Sequence, residues 1–237
     1  MTPNAVPVLS PNSTLNLDNP VPGAALAPGT LVRISGSYLS GSTATAPAPW
    51  PTTLGGTQVT IGGVAAPIQS VSPGVLTAQV PFELTPSQQY QVVVNSGGAL
   101  TAPGSVQLSQ ADPGVAVSAG GLLNAEHANG TPISEASPAA PGETIVLVGV
   151  GLGLTDTPVA DGAASPSSPL ANALDKPTVT INGEQAALSF AGLQPGEVGV
   201  YQVNVQVPND APNGDLTLVL SQDGNPANAG TLPVKHP

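Results

Sequence analysis

The chain has no cysteine, so packing and hydrogen bonds hold its fold without disulfides, and no redox compartment can be read from it. It is also poor in positive charge. Three Lys and Arg stand against fourteen Asp and Glu in 237 residues, a net charge of −11. Nucleic acid is thereby excluded as a partner, because phosphate binding needs clustered cations. An anionic membrane surface is excluded by the same repulsion. No apolar run approaches the ~18 residues needed to cross a bilayer, so membrane insertion is not expected. Two histidines without cysteine leave zinc no ligand set. No segment keeps a 3.6-residue apolar period, so almost no helix is expected.

What is abundant is turn-forming. Gly and Pro supply 28 residues each, about a quarter of the chain, against about 12% in ordinary proteins. Apolar residues still make up 40%, enough to fold. Many short strands joined by tight turns follow, which is an all-β chain. The length suits two domains of roughly 100 residues.

The sequence also says nearly the same thing twice. Ala27-Pro28-Gly29, a strand-like run, Gly36 and Leu39 return as Ala140-Pro141-Gly142, a strand-like run, Gly149 and Leu152. Val59–Gly63 is answered by Val179–Gly183, Pro73-Gly74 by Pro195-Gly196, and Gln79-Val80-Pro81 by Gln206-Val207-Pro208. A repeat of this length means two copies of one domain. The expected division is an extended leader over 1–16, a first sandwich over 17–110, a short linker over 111–114 and a second sandwich over 115–237. Strands are expected at Thr30–Ser35, Gln58–Ile61, Val75–Val80, Glu143–Val148, Val179–Ile181, Val200–Val207 and Leu216–Leu220. A further strand places Tyr90, Val92 and Val94 on one face, matched by Leu216, Leu218 and Leu220. Val115–Leu123, with Gly120-Gly121 inside it, is expected to form a hairpin. Residues 40–53, rich in proline, are expected to hold no regular structure.

Pro-Gly, a strand, Gly and Leu, then Val-Thr-Ile-x-Gly, then Gln-Val-Pro resembles the IPT/TIG immunoglobulin-like domain. Thr53–Gly56, Ala191–Gly196 and Tyr201–Pro208 are similar to the paired C-terminal domain of secreted acidobacterial proteins. The resemblance runs from about Leu17 to Val234. It implies two tandem immunoglobulin-like sandwiches and export, and it implies no chemistry.

Catalytic signals are thin. Gly149-Val150-Gly151-Leu152-Gly153 imitates a dinucleotide fingerprint, but Leu154 stands where the third glycine is needed and no helix follows, so a strand-to-loop turn is the reading. His127 lies in a polar turn and His236 beside the C-terminus, where it is expected to be mobile. With no base beside a nucleophile, no enzyme and no cofactor are expected. Asp156, Asp161 and Asp175 share the long loop of the second copy and are the only calcium candidates. They lack the ordered spacing of a calcium loop, and solvated charges are the ordinary reading. Trp50, in Ala-Pro-Ala-Pro-Trp-Pro, either folds back over an open sandwich edge, stacks on a sugar or anchors a partner.

The expectation is therefore a non-catalytic extracellular structural or adhesion module of a bacterial cell surface. Its partners would be other copies of itself or surface proteins and glycans. The alternative is a carbohydrate-binding accessory module that uses Trp50. Met1-Thr2-Pro3-Asn4 lacks the basic start and apolar stretch of a secretory signal, which implies a removed segment or a piece of a larger protein. Val6, Val8, Leu15 and Leu17 in and after the leader are apolar enough to add to the strand edge of a neighbouring molecule, unless residues 1–16 pack on their own domain or stay disordered. That contact could propagate into a fibre.

Overall fold

The structure is a computed structural model and describes residues 6–236. Residues 1–5, the start of the expected leader, and Pro237 lie outside the described residues. Among the described residues every regular element is a strand, and every strand pairing is antiparallel. The chain is an all-β protein of tandem immunoglobulin-like sandwiches.

Each half carries two sheets. In the first, one sheet runs in the order Val8–Asn16, Leu31–Ser37, Val75–Gln79, Ile68–Val71, Ala44–Thr45. The facing sheet is Ala99–Leu100, Gln89–Ser96, Thr57–Ile61, Thr53–Leu54, with Gly104–Gln107 and Val64–Ala66 paired alongside. The second half repeats the plan. Gly114–Val115, Thr144–Val150, Tyr201–Gln206 and Leu188–Leu193 form one sheet, with Ala125–His127 paired to Thr144–Val150. Glu184–Ala186, Thr178–Ile181, Gly214–Gln222 and Asn225–Pro226 form the other, with Gly230–Val234 alongside.

Alternation builds the cores. Val92 and Val94 are buried, as are Leu216, Leu218 and Leu220, while Thr217 between them faces solvent. Registers match across the repeat: Ile61 sits opposite Val92, and Ile181 opposite Leu218. The hairpins match too. Gly62 and Gly63 have φ of 62° and 83°, Asn182 and Gly183 have φ of 53° and 82°, the doubly positive turn that joins twisted strands best.

The repeated Gly36 and Gly149 have a common cause. A Cβ at Gly36 would lie 2.2 Å from the carbonyl oxygen of Val8, and one at Gly149 would lie 2.2 Å from that of Gly114. In each half an incoming strand crosses close over this glycine: Leu9 pairs with Gly36 and Val115 with Gly149. Val8–Asn16 is thus the counterpart of Gly114–Val115, a strand of the first sheet and not a segment outside the repeat. Its register shifts between Leu9 and Thr14, and Asn12 within that stretch has φ of 47°.

The 40–53 expectation also needs correcting. Ala44–Thr45 pairs with Ile68–Val71, and Thr53–Leu54 with Thr57–Ile61. The prolines at 47, 49 and 51 lie between these strands, so their missing N–H groups remove no ladder bond.

Candidate functional site: the junction of the two halves

Among the described residues there are three apolar clusters. Two are the sandwich cores, and the third joins Leu31 and Trp50 of the first half to Val150 and Val198 of the second. Trp50 is 9% exposed in this cluster. It therefore presents no ring to a sugar, and the sugar-stacking reading of Trp50 is overturned. Its backbone N–H donates to Gly162 O at 2.8 Å, which fixes the proline-rich loop to the other half. Phe82, from the first half, packs against the second half's core.

Polar groups complete the seam. Gln79 is buried, and its Oε1 accepts the Gly162 N–H at 2.7 Å. Asp161 Oδ1 accepts the Phe82 N–H at 2.9 Å. Gly199, with φ of 65°, is required here: a Cβ would fall 2.6 Å from Leu31 Cδ2 and 3.0 Å from Gly29 O. At the linker, buried Asn16 donates to Asp112 O at 2.7 Å and to Asp112 Oδ2 at 3.2 Å. Its own Oδ1 accepts the N–H groups of Asp18 and Asn19, each at 3.0 Å. Asn225 reaches back from the second half to Ala111 O at 3.0 Å.

Burying carboxylates here has an electrostatic consequence. Burial pushes Asp112 up to about 6, opposed by the Asn16 hydrogen bond, and pushes Asp18 up to about 6. Burial also raises Asp161, against the Phe82 hydrogen bond and with a push from neighbouring Glu83.

The calcium candidates are not brought together. Asp156 is spent on Asn172, with Oδ1 accepting its N–H at 2.9 Å and Oδ2 its side-chain amide at 2.8 Å. That amide chiefly holds the Asp156 carboxyl below its usual range. Asp161 serves Phe82, and the Asp175 carbonyl accepts from Gln222. Among the described residues no three His, Cys, Asp or Glu side chains gather as metal ligands.

The histidines differ from expectation. His236 is tied down, its N–H donating to Asn213 Oδ1 at 2.6 Å and its Nε2 lying 3.1 Å from Ala211 O. His127 Nδ1 lies 2.5 Å from Glu143 Oε1, and its Nε2 lies 3.1 Å from Ser137 Oγ and 3.2 Å from Ser137 O. Residues 10 and 16 positions away thus meet the ring, which spacing along the chain did not disclose. The Ser137 N–H is bonded to Ser134, and Glu143 Oε2 holds the Ala140 N–H. These bonds fasten the Ala125–His127 strand to the turn before Thr144.

Of the expected partner-contact residues, Val8 and Leu15 lie in the Val8–Asn16 strand, Val6 just before it and Leu17 just after it. Val6 and Val8 are 62% and 56% exposed, Leu15 is half-buried in its strand, and Leu17 is 38% exposed. Leu15 is paired at home with Arg33.

Comparison of the two copies reveals the signal for the junction. Gln79 follows Gly74 by five positions, but Gln206 follows Gly196 by ten. Val59 follows Leu39 by 20 positions, but Val179 follows Leu152 by 27. The extra residues of the second copy carry Val198, Gly199, Asp161 and Gly162, the groups that meet the first half.

The class these features define is the tandem immunoglobulin-like sandwich. Within it, residues 19–109 match the IPT/TIG domain family, and this part of the chain is an IPT/TIG-like domain. No protein of curated function matches the chain. Among solved structures it is similar to surface glycan-binding protein PbSGBP-B of Prevotella bryantii, at 12% identity over 97% of this chain and 42% of that one, TM-score 0.30. It is also similar to SGBP-B of the Bacteroides ovatus mixed-linkage glucan utilization locus, at 15% identity, 90% and 44% coverage, TM-score 0.35. Adhesin InvE of Yersinia pseudotuberculosis matches at 15% identity, 99% and 60% coverage, TM-score 0.25. The chain spans less than half the length of the first two. Likeness of this degree does not reach past the fold class.

Proposed function

We propose that the chain is a non-catalytic extracellular module of a bacterial cell surface, which holds two immunoglobulin-like sandwiches at a set angle for a structural or adhesive purpose. The observation that carries this reading is the junction. The only tryptophan, two buried amide side chains and the added loops of the second copy are all committed to joining the halves. A short connection fastened at several places is the design of a spacer rather than of a hinge. The resemblance to secreted acidobacterial C-terminal domains, with the low charge and scarcity of Lys, supports export.

Spin labels test the spacer. The cysteine-free background accepts Leu100→Cys and Asp223→Cys, both at exposed positions. A single narrow distance distribution is expected, and a broad one removes the reading. Protease shaving of intact cells, read with an antibody to this chain, tests the location. Assembly into a fibre is a finer form of the proposal with less support, because the segment that would donate a strand is paired within its own sheet. A strictly monomeric chain by light scattering at high concentration would end it.

Carbohydrate binding is the second reading, now resting on a different place from Trp50. The observation is a mixed aromatic and polar depression beside Phe190.

A further inference from the structure

The chain has two phenylalanines, and both border open depressions that meet at one residue. The first depression, of about 420 Å³, is lined by Asp156, Asn172, Leu174, Lys176 and Phe190 among others. The second, of about 380 Å³, is lined by Phe82, Glu83, Leu154, Asp161 and Leu174. Leu174 belongs to both and is 57% exposed. Both volumes lie in the range of small-molecule sites.

The first depression has a built wall. Phe190 follows a register shift on Leu188–Leu193, the last strand of its sheet. Its ring folds back over Gly192, where a Cβ would come 2.9 Å from Phe190 Cζ. Asp156 and Asn172 are locked to each other through two hydrogen bonds, so their remaining acceptor sites are held in place. Lys176, one of only three Lys and Arg residues in the chain, adds an ammonium donor. The second depression is fixed by the Asp161 bond to the Phe82 N–H.

An aromatic ring beside a rigid carboxylate–amide pair and an ammonium suits a ligand with an apolar face and a rim of hydroxyls, each both donor and acceptor. A sugar ring has that form. The chain's charge of −11 and the carboxylates at both depressions argue against an anionic polymer. Two adjoining depressions across Leu174 argue for a linear ligand rather than a single ring. We propose that this cleft binds a neutral linear oligosaccharide, with Phe190 and Leu174 under the sugar faces and Asp156, Asn172 and Lys176 at the hydroxyls. The inference rests on the carbohydrate reading and gives that reading its site.

The test is calorimetric titration of the whole chain with cello-, xylo-, manno- and malto-hexaose, and with the disaccharide of whichever binds. Saturable binding to one series is expected, weaker for the disaccharide. Phe190→Ala should weaken it roughly tenfold or more. Lys176→Ala and Asp156→Asn, at exposed positions, should weaken it severalfold with unchanged thermal unfolding, which separates loss of the site from loss of the fold. If none of the hexaoses binds at millimolar concentration, both the site and the carbohydrate reading fall. If a hexaose binds and all three variants bind as well as the parent, the site falls and the reading stands. Tighter binding of heparin than of any neutral hexaose would overturn the neutral class.

Discussion

Gln79 and Gln206 occupy the same place in the two copies, and their fates differ. Each donates its side-chain amide to the carbonyl of the corresponding Pro-Gly glycine, Gly29 at 3.4 Å and Gly142 at 3.1 Å. Gln79 is buried and its oxygen receives the Gly162 N–H, whereas Gln206 is exposed. The neighbours differ in step. Three residues on, the first copy has Phe82, whose ring lies against Gly29, and the second has Asn209, whose side chain lies against Gly142. Leu31, in the junction cluster, is answered by Thr144. One end of the sandwich has thus been made an apolar docking face in the first copy and a solvent face in the second, on a shared backbone plan. The lesson is that a repeat conserves the frame, while a few side chains decide which surface of the frame is used. The second copy's end lacks the apolar residues to repeat the same docking.

The comparison can be broken at several points. The largest effect is expected at the junction tryptophan. Trp50→Ala should cost about 3–5 kcal/mol and uncouple the halves. Calorimetry should show one cooperative transition in the parent and two in the variant. Two transitions already in the parent would mean the docking face contributes little.

Core substitutions should, in contrast, treat the halves alike. Ile61 and Ile181 are fully buried at equivalent positions. Ile61→Ala and Ile181→Ala should each cost about 2–5 kcal/mol in urea denaturation. A cost confined to one of them would show that the cores are not equivalent.

The glutamines sharpen the comparison most directly. Gln79→Ala leaves the Gly162 N–H without a partner in a buried seam and should cost about 1–3 kcal/mol. Gln206→Ala, in solvent, should stay within about 0.5 kcal/mol. Equal effects on the denaturation midpoint would contradict the asymmetry of the two ends.

A pH dependence also belongs to the junction. Asp112 and Asp18 are raised from 3.8 to about 6, so the folded state holds their protons more tightly than the unfolded chain. Their stabilisation is full below about pH 4 and is lost as pH rises through about 6. The melting temperature should therefore fall between pH 4 and 6.5 by more in the parent than in Asp112→Asn, which removes the titration. An identical slope in both would clear Asp112 of the effect.

Much of the fold was legible because it depends on local pattern. Alternation at Leu216, Leu218 and Leu220, the doubled Pro-Gly and Gly-Leu spacing, and the Gly62-Gly63 turn each state a backbone requirement within a few residues. The first strand was missed because Pro11, Asn12 and its shifted register hide the alternation of Val8–Asn16. Its role shows only in the close crossing over Gly36. The calcium candidates were proposed from nearness in sequence, but the carboxylates of Asp156 and Asp161 are taken up by Asn172 and Phe82, and among the described residues the three side chains do not gather. The histidine environments were missed because Glu143 and Ser137 reach His127 only once the strands are paired. The depressions around Phe82, Leu174 and Phe190 draw on stretches nearly a hundred residues apart, beyond any local pattern.

By itself the sequence determined the all-β architecture, its doubling and the positions of the core residues. Burial of alternating side chains and the positive φ of tight turns are properties of short stretches, and short stretches can be read. Only the tertiary structure decided that Trp50 is buried, that the inserted residues of the second copy form a seam, and that two phenylalanines meet across Leu174. Those outcomes depend on which surfaces come together after each half has folded. The free energy of such contacts resides in pairs of residues far apart in the chain, and no local stretch carries it.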